Sequence, residues 1–168
     1  MGMAAVYTEV DIKQIDRFKE GITDELLEEL HDAVEDEEMN SFDTDKMWDG
    51  LHCLLTGVSA VNPIEDNPLS EAVMGTEILS TEDDYEYIAC ICPDRLKEII
   101  KALDEMNTEE LGKNFSPRLF AENNIYPDIW MYEAEDELRE ELLTVFEEMK
   151  EFYHSVADRN NGIIIELG

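Results

Sequence analysis

The chain has 168 residues, 43% of them hydrophobic, including six Phe, six Tyr and two Trp, enough apolar matter for one folded domain and an argument against disorder. Twelve Lys and Arg stand against 43 Asp and Glu, a formal net charge of -31. No stretch gathers cations, which argues against nucleic acid as a partner, because its binding draws on counterion release by clustered Lys and Arg.

From the N-terminus, residues 3–10 form a short apolar and β-branched run, a strand, closed by Asp11. Asp11 caps a helix over 12–19, with Gln14 at the reciprocal capping-box position. Gly21 breaks that helix and Thr23 opens another, in which Ile22, Leu26, Leu27, Leu30 and Val34 recur at helical spacing while acids fill the other angles. A third helix begins at Asp43 or Asp45 and ends at Gly57. Residues 58–67 read as loop, and Pro68 to Gly75 as one or two helical turns followed by an acidic linker.

Residues 86–92 are the clearest strand, with Ile88, Cys90 and Cys92 on one face and Tyr87, Ala89 and Ile91 on the other, the pattern of a central strand covered on both sides. Pro93 opens a helix that turns Leu96, Ile99, Ile100 and Leu103 inward, and Thr108 and Ser116-Pro117 begin two short ones. After an aromatic loop, 125–130, the longest helix spans about 133–159, with Leu138, Leu142, Val145, Phe146, Met149, Phe152, Tyr153 and Val156 in one stripe. Asn160-Asn161-Gly162 turns into a final strand, 163–167. The expected architecture is a single α+β domain over 1–168, helix-rich, packed on a small mixed sheet that contains the N-terminal, middle and C-terminal strands.

The acid is concentrated. Residues 24–38 hold nine carboxylates and no Lys or Arg, residues 133–151 hold nine against Arg139 and Lys150, and residues 82–86 hold four. Solvated helix faces have this composition, and so does a surface that meets a basic protein. Three cysteines, Cys53, Cys90 and Cys92, sit in apolar runs and cannot all pair within the chain, which points to a reducing cytoplasm. No run approaches the roughly 18 apolar residues of a membrane span. The start, Met1-Gly2-Met3-Ala4-Ala5-Val6, lacks an export signal and the Ser or Thr of a myristoylation site, so neither export nor membrane attachment is expected.

Candidate chemistry centres on the third helix. At 100° per residue, Met47, Leu51, Leu54 and Leu55 fill one side while Asp45, Asp49, His52 and Thr56 line the other, with Trp48 on the border. A histidine oriented by Asp49 or Asp45 and walled by Trp48 suits acid or base work near neutral pH, and Tyr126 and Trp130 are candidates to close such a pocket. The competing reading is structural: a wet helix face, a Trp plugging the core edge, and a His bonded to a buried carbonyl. No catalytic residue is assigned, and His31 and His154 have weaker claims still. Cys90-x-Cys92 has the geometry of half a zinc site but no second pair, and no phosphate loop, nucleophile elbow or calcium loop is present, so neither metal nor cofactor is expected.

Several stretches together resemble the bacterial YfbM-like family, a domain of unknown function. They are Met1-Gly2-Met3, then Asp45-Lys46-x-Trp48-Asp49-x-Leu51-His52-x-Leu54-Leu55-Thr56-Gly57, Pro68-Leu69-Ser70-x-Ala72-Val73-x-Gly75, Tyr126-Pro127-x-x-Trp130 and Phe152-Tyr153. The resemblance implies one α+β domain from a bacterial cytosol and brings no activity, cofactor or catalytic residue. The extreme acidity and the paired cysteines stand apart from it. The function remains unknown at this level. The leading expectation is an acidic, non-enzymatic protein-binding module of the immunity or inhibitor type for a basic partner. The alternative is a small-molecule binder or enzyme using the pocket of Trp48, Asp49, His52, Thr56, Tyr126 and Trp130.

Overall fold

The computed structural model describes residues 2–81 and 86–168. Most of the acidic patch at 82–86 therefore lies outside the described residues, as does Met1. Strand β1 (Ala5–Val10) leads through α1 (Ile12–Glu20) and α2 (Asp24–Glu35) to a short strand β2 (Ser41–Asp43), a 3-10 turn (Asp45–Met47) and α3 (Trp48–Thr56). Then come α4 (Pro68–Met74), β3 (Glu77–Ile78), β4 (Tyr87–Ile91), α5 (Pro93–Asp104), α6 (Thr108–Gly112), α7 (Pro117–Glu122), α8 (Glu135–Asp158) and β5 (Gly162–Leu167). Local chemistry accounts for the early boundaries. The Asp11 carboxylate accepts from the Gln14 N–H while the Gln14 side chain accepts from the Asp11 N–H, and Thr23 accepts from the Leu26 N–H.

Among the described residues five strands form one sheet, in the order β2-β1-β5-β4-β3. Every pairing is antiparallel, so the sheet is not the mixed one expected. β1 and β4 run in the same direction, but β5 separates them and is antiparallel to both. Tyr7 faces Ile165 on one side of β5, and Cys90 faces Ile164 on the other. Gly162 is required where β5 enters the sheet, because a Cβ there would lie 2.4 Å from the Ile91 carbonyl oxygen.

Helices cover both faces. On one, Ile15 and Phe18 of α1 and Leu26 and Leu30 of α2 pack on Ile88, Cys90 and Ile164. On the other, α3 to α8 build the larger core over Tyr7, Ala89, Ile91, Ile163 and Ile165. The two-sided pattern of β4 reflects this placement directly. Two buried tyrosines join the layers: Tyr7 Oη donates to the Val73 carbonyl at 2.8 Å and Tyr153 Oη to the Ala72 carbonyl at 2.5 Å. The acidic helices α2 and α8 consequently lie on opposite faces of the sheet.

Where β1 ends, Glu9 is buried yet charged. Arg159 donates to it through Nε (2.7 Å) and Nη2 (2.5 Å), and Asn40 and Asn161 donate through their side-chain amides at 3.0 and 2.7 Å. Burial alone would raise this carboxyl, but those hydrogen bonds and the Arg159 charge outweigh it and hold the carboxyl at about 2, against 4.5 for the free group. The cluster therefore contributes stability that is fully present above pH 4.5 and is lost as pH falls towards 2. Glu9→Gln is expected to cost about 1–3 kcal/mol at neutral pH. In paired urea melts the gap between wild type and variant closes between pH 4.5 and 2; a gap that stays constant would show that the charge of Glu9 does not stabilise the fold.

Candidate functional site

Helix α3 enters without a side-chain cap. Asp43 belongs to β2, and Asp45 is exposed with a positive φ of 52°, so neither carboxylate starts the helix as expected. Asp43 Oδ1 instead accepts from the Asp45 N–H at 2.6 Å and shapes the turn. At the other end Gly57 adopts φ +87°, and its N–H donates to the Cys53 carbonyl, as a helix stop of this kind requires. Met47, Leu51, Leu54 and Leu55 are core.

The opposite side of α3 is not wet. Asp49 is 1% exposed and His52 0%, because residues 58–64 and the loop at Tyr126 fold back over them. Asp49 accepts four hydrogen bonds: Oδ1 from the Ala60 N–H (2.7 Å) and Ser59 Oγ (2.9 Å), Oδ2 from the Tyr126 N–H (2.8 Å) and again Ser59 Oγ (3.1 Å). One carboxylate thus clamps two loops to the helix, and it does not orient His52.

His52 has its own network. Its Nδ1 lies 2.8 Å from the Val58 carbonyl oxygen, and its Nε2 lies 2.7 Å from Ser70 Oγ. A carbonyl oxygen only accepts, so Nδ1 carries the proton and Nε2 is the free base that accepts from Ser70. Burial lowers the His52 pKa, partly offset by the Val58 bond and the Asp49 charge, and the ring is neutral at physiological pH. Thr56 Oγ1, half-buried, donates to the His52 carbonyl at 2.7 Å.

The two later aromatics separate. Tyr126 stacks on Trp48 with ring centroids 5.5 Å apart, while Trp48 Nε1 donates to the Met3 carbonyl at 3.1 Å and the Met3 N–H donates to Tyr126 Oη at 2.6 Å. Trp130 lies elsewhere, in the core, edge-on to Phe115 and Phe120. It occupies the space above Gly50, where a Cβ would come within 2.6 Å of its Cη2, which explains a glycine inside this helix. The six candidate residues therefore do not wall one open pocket. Trp48, Asp49 and Tyr126 form one packed junction, His52 and Thr56 an adjacent one, and Trp130 belongs to neither.

Sequence reasoning missed Ser70, the partner of His52, which is 18 residues away and carries no local signal. Ser70 is 1% exposed, accepts from the Ile64 N–H at 2.9 Å, and lines a cavity of about 260 Å³ with Ile64, Glu71, Met74, Ile78 and Tyr87.

Other candidates resolve more simply. Cys90 is buried, which raises its thiol pKa to about 12, and Cys92 is half-buried with Lys19 Nζ donating to its Sγ at 3.6 Å. Among the described residues no group of three or more His, Cys, Asp or Glu could hold a metal ion, and no helix is long and apolar enough to cross a membrane. His154 makes a surface pair with Asp104, and the exposed His31 pairs with Glu166, which is buried.

The model of a family described as a domain of unknown function, DUF1877, matches residues 1–166. The chain belongs to the DUF1877 family. This DUF1877 domain is 31% identical over 163 residues to Protein YfbM of Escherichia coli strain K12, covering 96% of the chain and 95% of that protein. It also matches the crystal structure of YfbM, a protein of unknown function from Escherichia coli, with a TM-score of 0.75 and 26% identity over 98% and 99% of the two chains. The family is described as one of unknown function and so is YfbM, so function has to be argued from the surface and the sites of this DUF1877 member.

Proposed function

We propose that this DUF1877 domain is a cytoplasmic binding module that captures a basic protein along α8, in the manner of an immunity or inhibitor protein. The observation that carries this reading is an open groove of about 630 Å³ beside α8, lined by Asp136, Glu140, Glu147, Glu148 and Glu151 against Arg139 and Lys150. Both cations are committed: Arg139 to Glu135 and Asp136, and Lys150 to Glu147. Glu140, Glu148 and Glu151 have no salt bridge among the described residues, so their field is open to a cationic partner. The acids of α2 face away on the other side of the sheet, and one contact surface cannot engage both helices. Three free thiols support a reducing compartment.

Affinity capture from native lysate over a salt series tests the reading. A protein of high isoelectric point is expected at low salt, released as salt rises through the range where the Debye length falls below about 10 Å. A variant carrying Glu140→Gln, Glu148→Gln and Glu151→Gln is expected to lose it, while neutralising Glu25, Glu28 and Glu35 on α2 leaves capture intact. No partner at low salt, or equal capture by the α8 variant, overturns the proposal.

A further inference from the structure

We infer that Ser70 is a nucleophile activated by His52, giving this domain a capacity for acyl transfer on small uncharged esters at the cavity beneath residues 63–66.

The parts of a nucleophile and its base are present and in order. Ser70 Oγ lies 2.7 Å from the free Nε2 of His52, and the far nitrogen of that ring is held by the Val58 carbonyl at 2.8 Å. Nucleophile, base and orienting acceptor thus form a chain with both links at hydrogen-bond distance, and the orienting acceptor fixes the tautomer the chemistry needs. The base is sealed from bulk water, and Ser70 is its outlet to the cavity. Burial lowers the His52 pKa and so keeps Nε2 available. The Ile64 N–H donates to the same Oγ at 2.9 Å, which leaves the Ser70 hydroxyl proton directed at His52 Nε2.

The cavity selects the substrate. Ile64, Met74, Ile78 and Tyr87 offer apolar wall for a short acyl chain, and about 260 Å³ admits little more. Glu65, Asp66 and Glu71 also line it, so an anionic ester is repelled. Arg95 does not reverse that field, because its guanidinium is already engaged by Glu71 and Glu98.

In the acylation step Ser70 Oγ bonds to the ester carbonyl carbon and its proton passes to His52 Nε2. The bond from that carbon to the alcohol oxygen then breaks, and the proton on Nε2 leaves with the alcohol. A water molecule, giving its proton to the same Nε2, attacks the acyl-Ser70, and the carboxylic acid departs as the serine hydroxyl is restored.

The test uses the whole chain. Wild-type protein is treated with a short-chain alkyl fluorophosphonate and mapped by peptide mass spectrometry, and hydrolysis of p-nitrophenyl butyrate is followed alongside. One phosphonyl adduct on the Ser70 peptide is expected, with hydrolysis about 100-fold or more above that of Ser70→Ala. Because labelling is read on wild-type protein, it does not depend on the variant folding. Absence of an adduct at Ser70, or hydrolysis unchanged in a folded Ser70→Ala, overturns the inference. Neither result bears on partner capture along α8, which engages different residues.

Discussion

Removing residues 163–168 is expected to abolish cooperative folding. β5 occupies the middle of the five-stranded order, hydrogen-bonded to β1 along six residue pairs and to β4 along five. Its three isoleucines are at most 1% exposed, Ile163 and Ile165 in the larger core and Ile164 in the smaller. Burying three such side chains contributes about 5–9 kcal/mol, comparable with the roughly 5–15 kcal/mol that holds a whole domain together. The deletion also leaves β1 and β4 with facing unpaired edges that no other strand can bridge. A thermal melt followed by near-ultraviolet circular dichroism should therefore show no cooperative transition. An undiminished unfolding temperature would refute the central role of β5.

The second large effect is expected at Asp49. Changing it to Asn preserves shape and replaces one accepting oxygen with a donor. Since the Ala60 N–H, the Tyr126 N–H and the Ser59 hydroxyl all point at this side chain, an amide NH2 must face a backbone N–H whichever way it is turned. Each buried donor left without an acceptor costs about 1–3 kcal/mol, so Asp49→Asn should lose about 3–5 kcal/mol in urea unfolding. Asp49→Ala should fall in the same range, because it strands both N–H groups, whereas Asn strands one and sets an NH2 against it. Glu148→Gln, on the exposed side of α8, serves as the control and should change stability by less than about 0.5 kcal/mol. Near-equal stability of wild type and Asp49→Asn would mean that the clamp over α3 does not hold the loops.

The two outcomes differ in what foretold them. The terminal strand was expected in the sheet because Ile163 to Leu167 is apolar and follows a turn sequence. Asp49, by contrast, read either as a carboxylate orienting His52 or as part of a wet helix face. Helical periodicity reports which angles are apolar and says nothing of a loop that later folds over the polar ones. Loop 58–64 and the Tyr126 segment do this here, and their attachment to Asp49 spans up to 77 residues.

The same limit governed the sheet. β2 and β3, three and two residues long, carry too few alternations to register as strands, and they exist because β1 and β4 offer them hydrogen-bonding edges. Trp48, Tyr126 and Trp130 looked alike as aromatics available to a pocket. Gly50 draws Trp130 into the core, while Tyr126 stays on the Trp48 side.

What the sequence by itself determined, then, is whatever depends on neighbours a few positions away: the caps at Asp11 and Thr23, the stop at Gly57, the apolar stripes of α3, α5 and α8, and the two-sided pattern of β4. Its likeness to a known family also rested on residues read in order. Tertiary structure alone decided the antiparallel order around β5, the placement of α2 and α8 on opposite faces, the burial of Asp49, and the pairing of His52 with Ser70. Those features join groups far apart in the chain, and such contacts are set by how the layers close rather than by any local preference.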